Sequence, residues 1–244
     1  MLRGVLFDLD GTLLDIDLPP FLREYFSALG PVVARVIGDG SGVAPGLDAL
    51  MLSTDEMGRA HPALTNRESF NARFAAETGA DLDADDARAA LDRFYAEVFP
   101  HLRGASGPVR GARKAVETAL GLGLRVAIAT HPIFPRVAIE ERMRWAGVHD
   151  LPVHVVTSYE IMHATKPHRA YFAETAELLG VKPSDALMVG DDRQLDLAAG
   201  DLGMRTFYVG DDPSAVSDWT GSIDDLTRLL PRLVSRAARR DFLA

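Results

Sequence analysis

The sequence contains no cysteine. That absence excludes disulfide staples, thiolate nucleophiles and Cys-based zinc or iron–sulfur centres, and it fits a reducing, cytoplasmic setting. Any metal would have to sit on oxygen or imidazole. Basic residues are also in deficit: 26 Lys and Arg against 35 Asp and Glu leave a formal charge of −9. Binding to a nucleic-acid backbone needs the opposite balance, so no nucleic-acid partner is expected. The one basic cluster, Arg232 to Arg240, reads as the solvated face of a last helix. No apolar run reaches the length of a bilayer crossing, and acidic residues come too early in MLRGVLFDLDGTLLD for a signal peptide. A soluble, cytoplasmic chain with no membrane partner is therefore expected. With 244 residues, the chain is long enough for one large α/β domain, or for a core with a smaller insert.

What is present falls into two patterns. Val5 to Leu9 is a short apolar run ended by Asp10-Gly11-Thr12, a buried strand stopped by a turn. From about Asp17 to Ser106, helical periodicity takes over, with Phe21, Leu22, Tyr25 and Phe26 on one face and Leu91, Phe94, Tyr95 and Val98 on another. Breaks at Gly38 to Gly42, His61-Pro62 and Gly79 to Asp81 divide this stretch into about four helices with no good strand. After the linker Gly104 to Pro108, helices and strands alternate. Strands are expected at Arg125 to Thr130, Val153 to Thr157, Ala186 to Val189 and Arg205 to Val209. Helices are expected near Gly111 to Leu120, Pro135 to Trp145, His168 to Leu179, Gln194 to Asp201 and Ile223 to Val234. Near-continuous apolar strands separated by helical crossovers make a doubly wound parallel sheet, covered on both faces. The expected architecture is an α/β core of residues 1–16 and 107–244 with an all-α insert at 17–106.

Ligands in such sheets bind beyond the carboxyl ends of the strands. Asp8 and Asp10 follow the first strand, Thr130 ends the second, Lys166 comes after the third, and Asp191, Asp192 and Asp196 follow the fourth. Each has an ordinary explanation on its own, such as a turn, a helix cap or an exposed lysine. Their joint arrival at one sheet edge does not. Two like charges about 4 Å apart repel by about 4 kcal/mol at an effective dielectric of about 20, so these carboxylates need a cation among them. Lys166 and a divalent metal would supply it. With oxygen donors and no histidine cluster the ion expected is Mg²⁺, which completes its shell with water and phosphate.

The run FDLDGTLLD at Phe7 to Asp15 resembles the first motif of the haloacid dehalogenase superfamily of phosphatases. AIAT ending at Thr130, Lys166-Pro167 with Tyr171-Phe172, and VGDDRQLD from Val189 to Asp196 are similar to the remaining three, in order. The likeness covers the core, and the insert matches only as a helical cap placed after the first motif. The resemblance implies that Asp8 attacks phosphorus to form an aspartyl-phosphate, with Asp10 as the acid and then the base. It implies Mg²⁺ on the Asp8 carboxylate, the Asp10 backbone carbonyl and Asp191, supported by Asp196 or Asp192. Thr130 and Lys166 would hold the phosphoryl oxygens. Two positions depart from the pattern. Asp192 either adds a ligand or caps the next helix, and His131 either meets the substrate phosphate and titrates near neutrality or is structural. Arg136 reads as part of a helix start, with a possible anion contact.

Within the superfamily, phosphonate cleavage would need a lysine from the insert, but Lys114, Lys166 and Lys182 all lie outside it. Dehalogenation needs neither Mg²⁺ nor Asp10. A sugar-phosphate mutase, in which the cap decides the acceptor, and a non-enzymatic Mg²⁺-binding module remain as alternatives. The expected substrate is a small phosphate ester such as a sugar phosphate, a phosphoglycolate-like acid or a nucleotide. His61, Asn66, Arg67 and Arg73 are the insert's candidates for facing it.

Overall fold

The computed structural model of the chain describes residues 1–241 apart from Asp39, Ser41 and Ala60, with side chains as far as Ser235. In chain order the first elements are β1 (Gly4–Phe7), β2 (Leu14–Asp15), α1 (Leu18–Ile37), α2 (Val43–Met57), α3 (Asn66–Thr78) and α4 (Asp85–Arg93). Helix α4 runs on through a π turn at Phe94–Val98 and a 3-10 turn at Phe99–Arg103. Then come β3 (Gly107–Pro108), α5 (Ala112–Gly121), β4 (Arg125–Ile128), α6 (Arg136–Trp145), β5 (Val155–Val156) and α7 (Arg169–Leu179). The last are β6 (Ala186–Gly190), β7 (Arg205–Val209), β8 (Trp219–Gly221) and α8 (Ile223–Asp241).

Six of the strands form one parallel sheet in the order β5-β4-β1-β6-β7-β8. The expected α/β architecture with a helical insertion is what the chain adopts. Every residue of β1 is buried because helices cover both faces. Val5 and Phe7 join one apolar cluster with Ala115 of α5, Ile139 of α6 and Leu226 of α8, while Leu6 joins the opposite one with Phe172 and Leu179 of α7. That period-2 division fixes the register, since a slip of one residue would exchange the two faces. Fully burying each such side chain is worth about 1.5–3 kcal/mol. The chain leaves β1 for β4 and β5 on one side, then crosses to β6, β7 and β8 on the other. The reversal puts the crevice of the fold at the carboxyl end of β1.

The inserted helices gather around aromatic side chains. Phe21 and Tyr25 of α1 pack with Phe99, and Phe99 stacks on Trp145 of α6 with ring centroids 5.5 Å apart. Helix α3 starts on a capping box in which Thr65 and Glu68 exchange hydrogen bonds. Its first residues join the core: the Asn66 and Arg67 amides donate to the carbonyls of Met162 (2.7 Å) and Tyr159 (2.8 Å).

Several elements differ from the sequence reading. Strand β5 covers only Val155–Val156 of the expected Val153 to Thr157, because it lies at the sheet edge and pairs with β4 alone. The helix expected from Gln194 is a 3-10 segment, Leu197–Leu202, closed by Gly203 at φ 84°. Strand β8 and the small β2–β3 ribbon were not expected. They span two or three residues and carry no apolar pattern. Helix α8 extends beyond Val234, so the Arg232 to Arg240 cluster falls on it. The side chains from Arg236 onwards, like Asp39 and Ser41 in the first expected break, lie outside the described residues.

Candidate active site

Asp8, Lys166, Asp191 and Asp196, four of the residues singled out beyond the strand ends, meet in one place. Asp8 follows β1 and is pinned by its amide, which donates to the Val189 carbonyl at 2.8 Å, while the Ala129 amide donates to Phe7 at 2.7 Å. Lys166, from the loop between β5 and α7, donates from Nζ to Asp8 Oδ1 at 2.6 Å and to Asp196 Oδ1 at 2.5 Å. All three side chains are buried. Carboxylate oxygens of Asp8, Asp191 and Asp196 lie within 4.8 Å of one another. Two glycines allow that approach. A Cβ on Gly11, where φ is 81°, would fall 2.1 Å from Asp191 Oδ2, and one on Gly190 would fall 2.1 Å from Asp196 Oδ2.

Burial acts first on these charges. It pushes the Asp8 carboxyl well above the ordinary range, with Lys166 opposing and Asp196 and Asp10 adding to the rise. Asp191 is pushed up to about 6 by burial, against a hydrogen bond from Thr12. Burial alone would lower Lys166, but Asp196 and Asp8 outweigh it and hold the ammonium protonated. Three carboxylates therefore share one fixed cation, a deficit of positive charge lined entirely by oxygen donors. A hard divalent cation fits that donor set.

The two oxygens of Asp196 are already engaged, one by Lys166 and the other by the Asp192 amide at 3.0 Å. Its local task is to aim Lys166. Asp192 accepts from the amides of Gln194 (2.7 Å) and Leu195 (2.8 Å), the geometry of a cap. Thr130 is buried, and its carbonyl accepts from Thr157 Oγ1 and the Tyr171 hydroxyl, both at 2.9 Å, which locks the end of β4. The His131 ring is held down to about 4, first by burial and then by Lys166. Of the readings left open for it, titration near neutrality does not fit this burial, and its Nδ1 is buried with no partner among the described residues. Arg136 starts α6 and pairs with Glu140 at 2.7 Å. Of the insert's candidates, Arg67 pairs with Asp83, Arg73 pairs with Glu77 at 2.7 Å, and His61 lies beside Glu56. Asn66 alone is buried, and it donates from Nδ2 to the carbonyls of Pro132 (3.1 Å) and Ala164 (3.3 Å).

The sequence reading missed two residues. Thr12 Oγ1 donates to Asp191 Oδ1 at 2.8 Å, fixing that carboxylate's orientation. The signal was available, because Thr12 stands in the same turn as Asp10. Arg142, midway along α6, is almost wholly buried and donates from Nη1 to Asp10 Oδ2. Nothing in its local sequence separates it from the surface arginines of the same helix.

With this geometry in view, the comparisons with known proteins are specific. The family model described as haloacid dehalogenase-like hydrolase matches residues 2–201, and the chain belongs to that family. It is an enzyme of the hydrolase class, and Asp8, Asp10 and Thr12 give it the phosphatase form of the family's first motif. The phosphoglycolate phosphatase of Salmonella typhimurium is 27% identical over 248 residues, covering 95% of this chain and 92% of that protein. Among solved structures, a haloacid dehalogenase-family phosphatase from Thermococcus onnurineus superposes with a TM-score of 0.58 at 22% identity, covering 94% of this chain and 98% of that one. L-2-haloacid dehalogenase from Xanthobacter autotrophicus superposes at 0.52 and 18% identity, covering 95% and 99%. The fold alone is thus shared by two chemistries, and the site has to distinguish them.

Proposed function

We propose that this chain is a Mg²⁺-dependent phosphohydrolase that cleaves small phosphate monoesters through a phosphoryl group carried on Asp8. The observation that carries the reading is the cluster of buried Asp8 and Asp196, both on the Lys166 ammonium, with half-buried Asp191 at the carboxyl end of the central strand. Dehalogenation needs neither a divalent ion nor a second aspartate two residues after the nucleophile.

Asp8 attacks phosphorus, the ester oxygen leaves, and the resulting acyl phosphate is cleaved by water in a second displacement. Asp10 gives its proton to the departing alkoxide and then takes one from the incoming water. Lys166 and Thr130 hold the phosphoryl oxygens, where charge is spread in the transition state. Asp8, the Asp10 carbonyl and Asp191 would hold the ion, with Asp196 behind them. Bound Mg²⁺ supplies the positive charge that lets the anionic nucleophile approach an anionic phosphoryl group. Residues 17–106 act as a cap on the core of 1–16 and 107–244, which shields the acyl phosphate and selects the leaving group. The relatives named phosphoglycolate phosphatase favour a small phosphorylated acid among the possible substrates. The reading includes a cytoplasmic location and neither a nucleic-acid nor a membrane partner. Among the described residues no helix is long and apolar enough to cross a membrane.

Release of inorganic phosphate from a panel of phosphorylated metabolites tests this reading. Activity with Mg²⁺ that chelation abolishes is expected. Activity indifferent to chelation, or none across the panel, would contradict it.

A further inference from the structure

Arg142 is left over from this account. Its guanidinium is nearly inaccessible to water, yet Nε and Nη2 have no hydrogen-bond partner among the described residues, and neither does Asp10 Oδ1 beside it. Leaving buried donors unmade is costly, most of all on a charged group, so an arginine in this state calls for an explanation. The two free nitrogens are not scattered. Nε and Nη2 form the side edge of the guanidinium, whose parallel N–H bonds match the two oxygens of a carboxylate. The remaining nitrogen, Nη1, is already on Asp10. The plane of the group is fixed from one face by Phe134, whose ring centroid lies 4.5 Å from the guanidinium carbon. Phe134 also lines a cavity of about 550 Å³ between the inserted helices and the core, on which Arg142 itself does not open.

We propose that Arg142 is the specificity-determining residue of the site, and that its Nε–Nη2 edge receives a carboxylate on the leaving-group side of the substrate. The assignment rests on the phosphatase reading and selects among its substrates: a phosphorylated hydroxy acid fits, while a neutral sugar phosphate leaves the fork empty. One side chain would then hold the leaving group and Asp10 together, with the carboxylate on one edge and the acid on the third nitrogen. The anion must come from the ester itself, because Lys166 and Thr130 already serve the phosphoryl oxygens. Burial sharpens the choice, since a desolvated guanidinium gains far more from an anion than from a hydroxyl. Arg142 is almost wholly buried under Phe134, so neighbouring side chains must move for a ligand to reach it.

Calorimetric titration of the Asp8→Asn protein with Mg²⁺ present tests the assignment without turnover. The probes are 2-phosphoglycolate and ethyl phosphate, which share a two-carbon chain and differ in the carboxylate. Binding at least about tenfold tighter for 2-phosphoglycolate is expected, falling to a ratio near one when Arg142→Lys is added, since lysine keeps the charge and loses the fork. Equal binding of the two esters before that change, or a preference that survives it, overturns the assignment alone. Failure of the Asp8→Asn protein to bind either ester overturns the phosphatase reading and the assignment with it. If Arg142→Lys does not fold, a crystal structure of the Asp8→Asn protein with 2-phosphoglycolate decides. A carboxylate on Nε and Nη2 supports the proposal, and a carboxylate elsewhere overturns it.

Discussion

Asp8 and Asp10 are two residues apart in sequence and have opposite surroundings. Asp8 is held by an ammonium inside the carboxylate cluster, whereas Asp10 turns away to a guanidinium on α6. Separate tasks follow from separate neighbours. Asp10→Asn keeps the shape and removes the proposed proton carrier, so kcat on alkyl phosphates should fall by about 10²–10⁴. Steady-state phosphate release checks this, and an unaltered kcat would remove Asp10 from the acid role. Asp191 supplies a pH prediction. Its folded-state value is raised to about 6, so the stability it contributes is complete below its unfolded value and is lost as pH rises through about 6. On the proposed reading, Mg²⁺ would bind the deprotonated form and reverse that loss. The gap in melting temperature between Mg²⁺-loaded and metal-free protein should therefore widen from pH 5 to pH 7.5. A gap independent of pH would mean that Asp191 is not a ligand. At this scale, sequence spacing was informative on which residues share one sheet edge, as with Asp8 and Asp191, which follow strands, and Lys166, which comes from the loop after β5. It was silent on Arg142, because the helix RVAIEERMRW carries several arginines and only packing reveals which one is buried.

Among the elements, the strands that build the crevice were legible because they are buried on both faces and therefore continuously apolar. Short edge elements were not. Strand β8 consists of Trp219–Gly221, and its place in the sheet comes from pairing with β7 and not from any pattern of its own. The first turn of α3 is a join between the inserted helices and the core, made by two backbone hydrogen bonds and the Asn66 side chain. Asn66→Ala would strand two carbonyls and lower the unfolding free energy by about 1–3 kcal/mol. Urea unfolding measures that loss, and a wild-type midpoint would show that Asn66 is not part of the join. Gly190→Ala, at the end of β6, should act differently. The added methyl has to displace Asp196, so Lys166 would lose its aim, and Mg²⁺-dependent turnover should fall by more than stability does.

For the molecule as a whole, a doubly wound sheet and an insertion after its first strand were readable from the alternation of apolar runs and helical stretches. The inserted helices were readable as helices but not as a recognition surface. Their aromatic cluster reaches α6 through Phe99 and Trp145, and tertiary packing of that kind leaves no motif in the sequence. The same packing brings Arg142 and Trp145 of α6, inserted aromatic side chains and Asp10 into one neighbourhood. The proposed chemistry depends on Asp8 carrying the phosphoryl group. Rapid quench of a single turnover, followed by peptide mass analysis, tests it most directly. The account predicts one added phosphoryl group on the peptide containing Asp8 at early times, absent in Asp8→Asn; turnover that proceeds at full rate with that peptide unmodified, or that survives in Asp8→Asn, would contradict it.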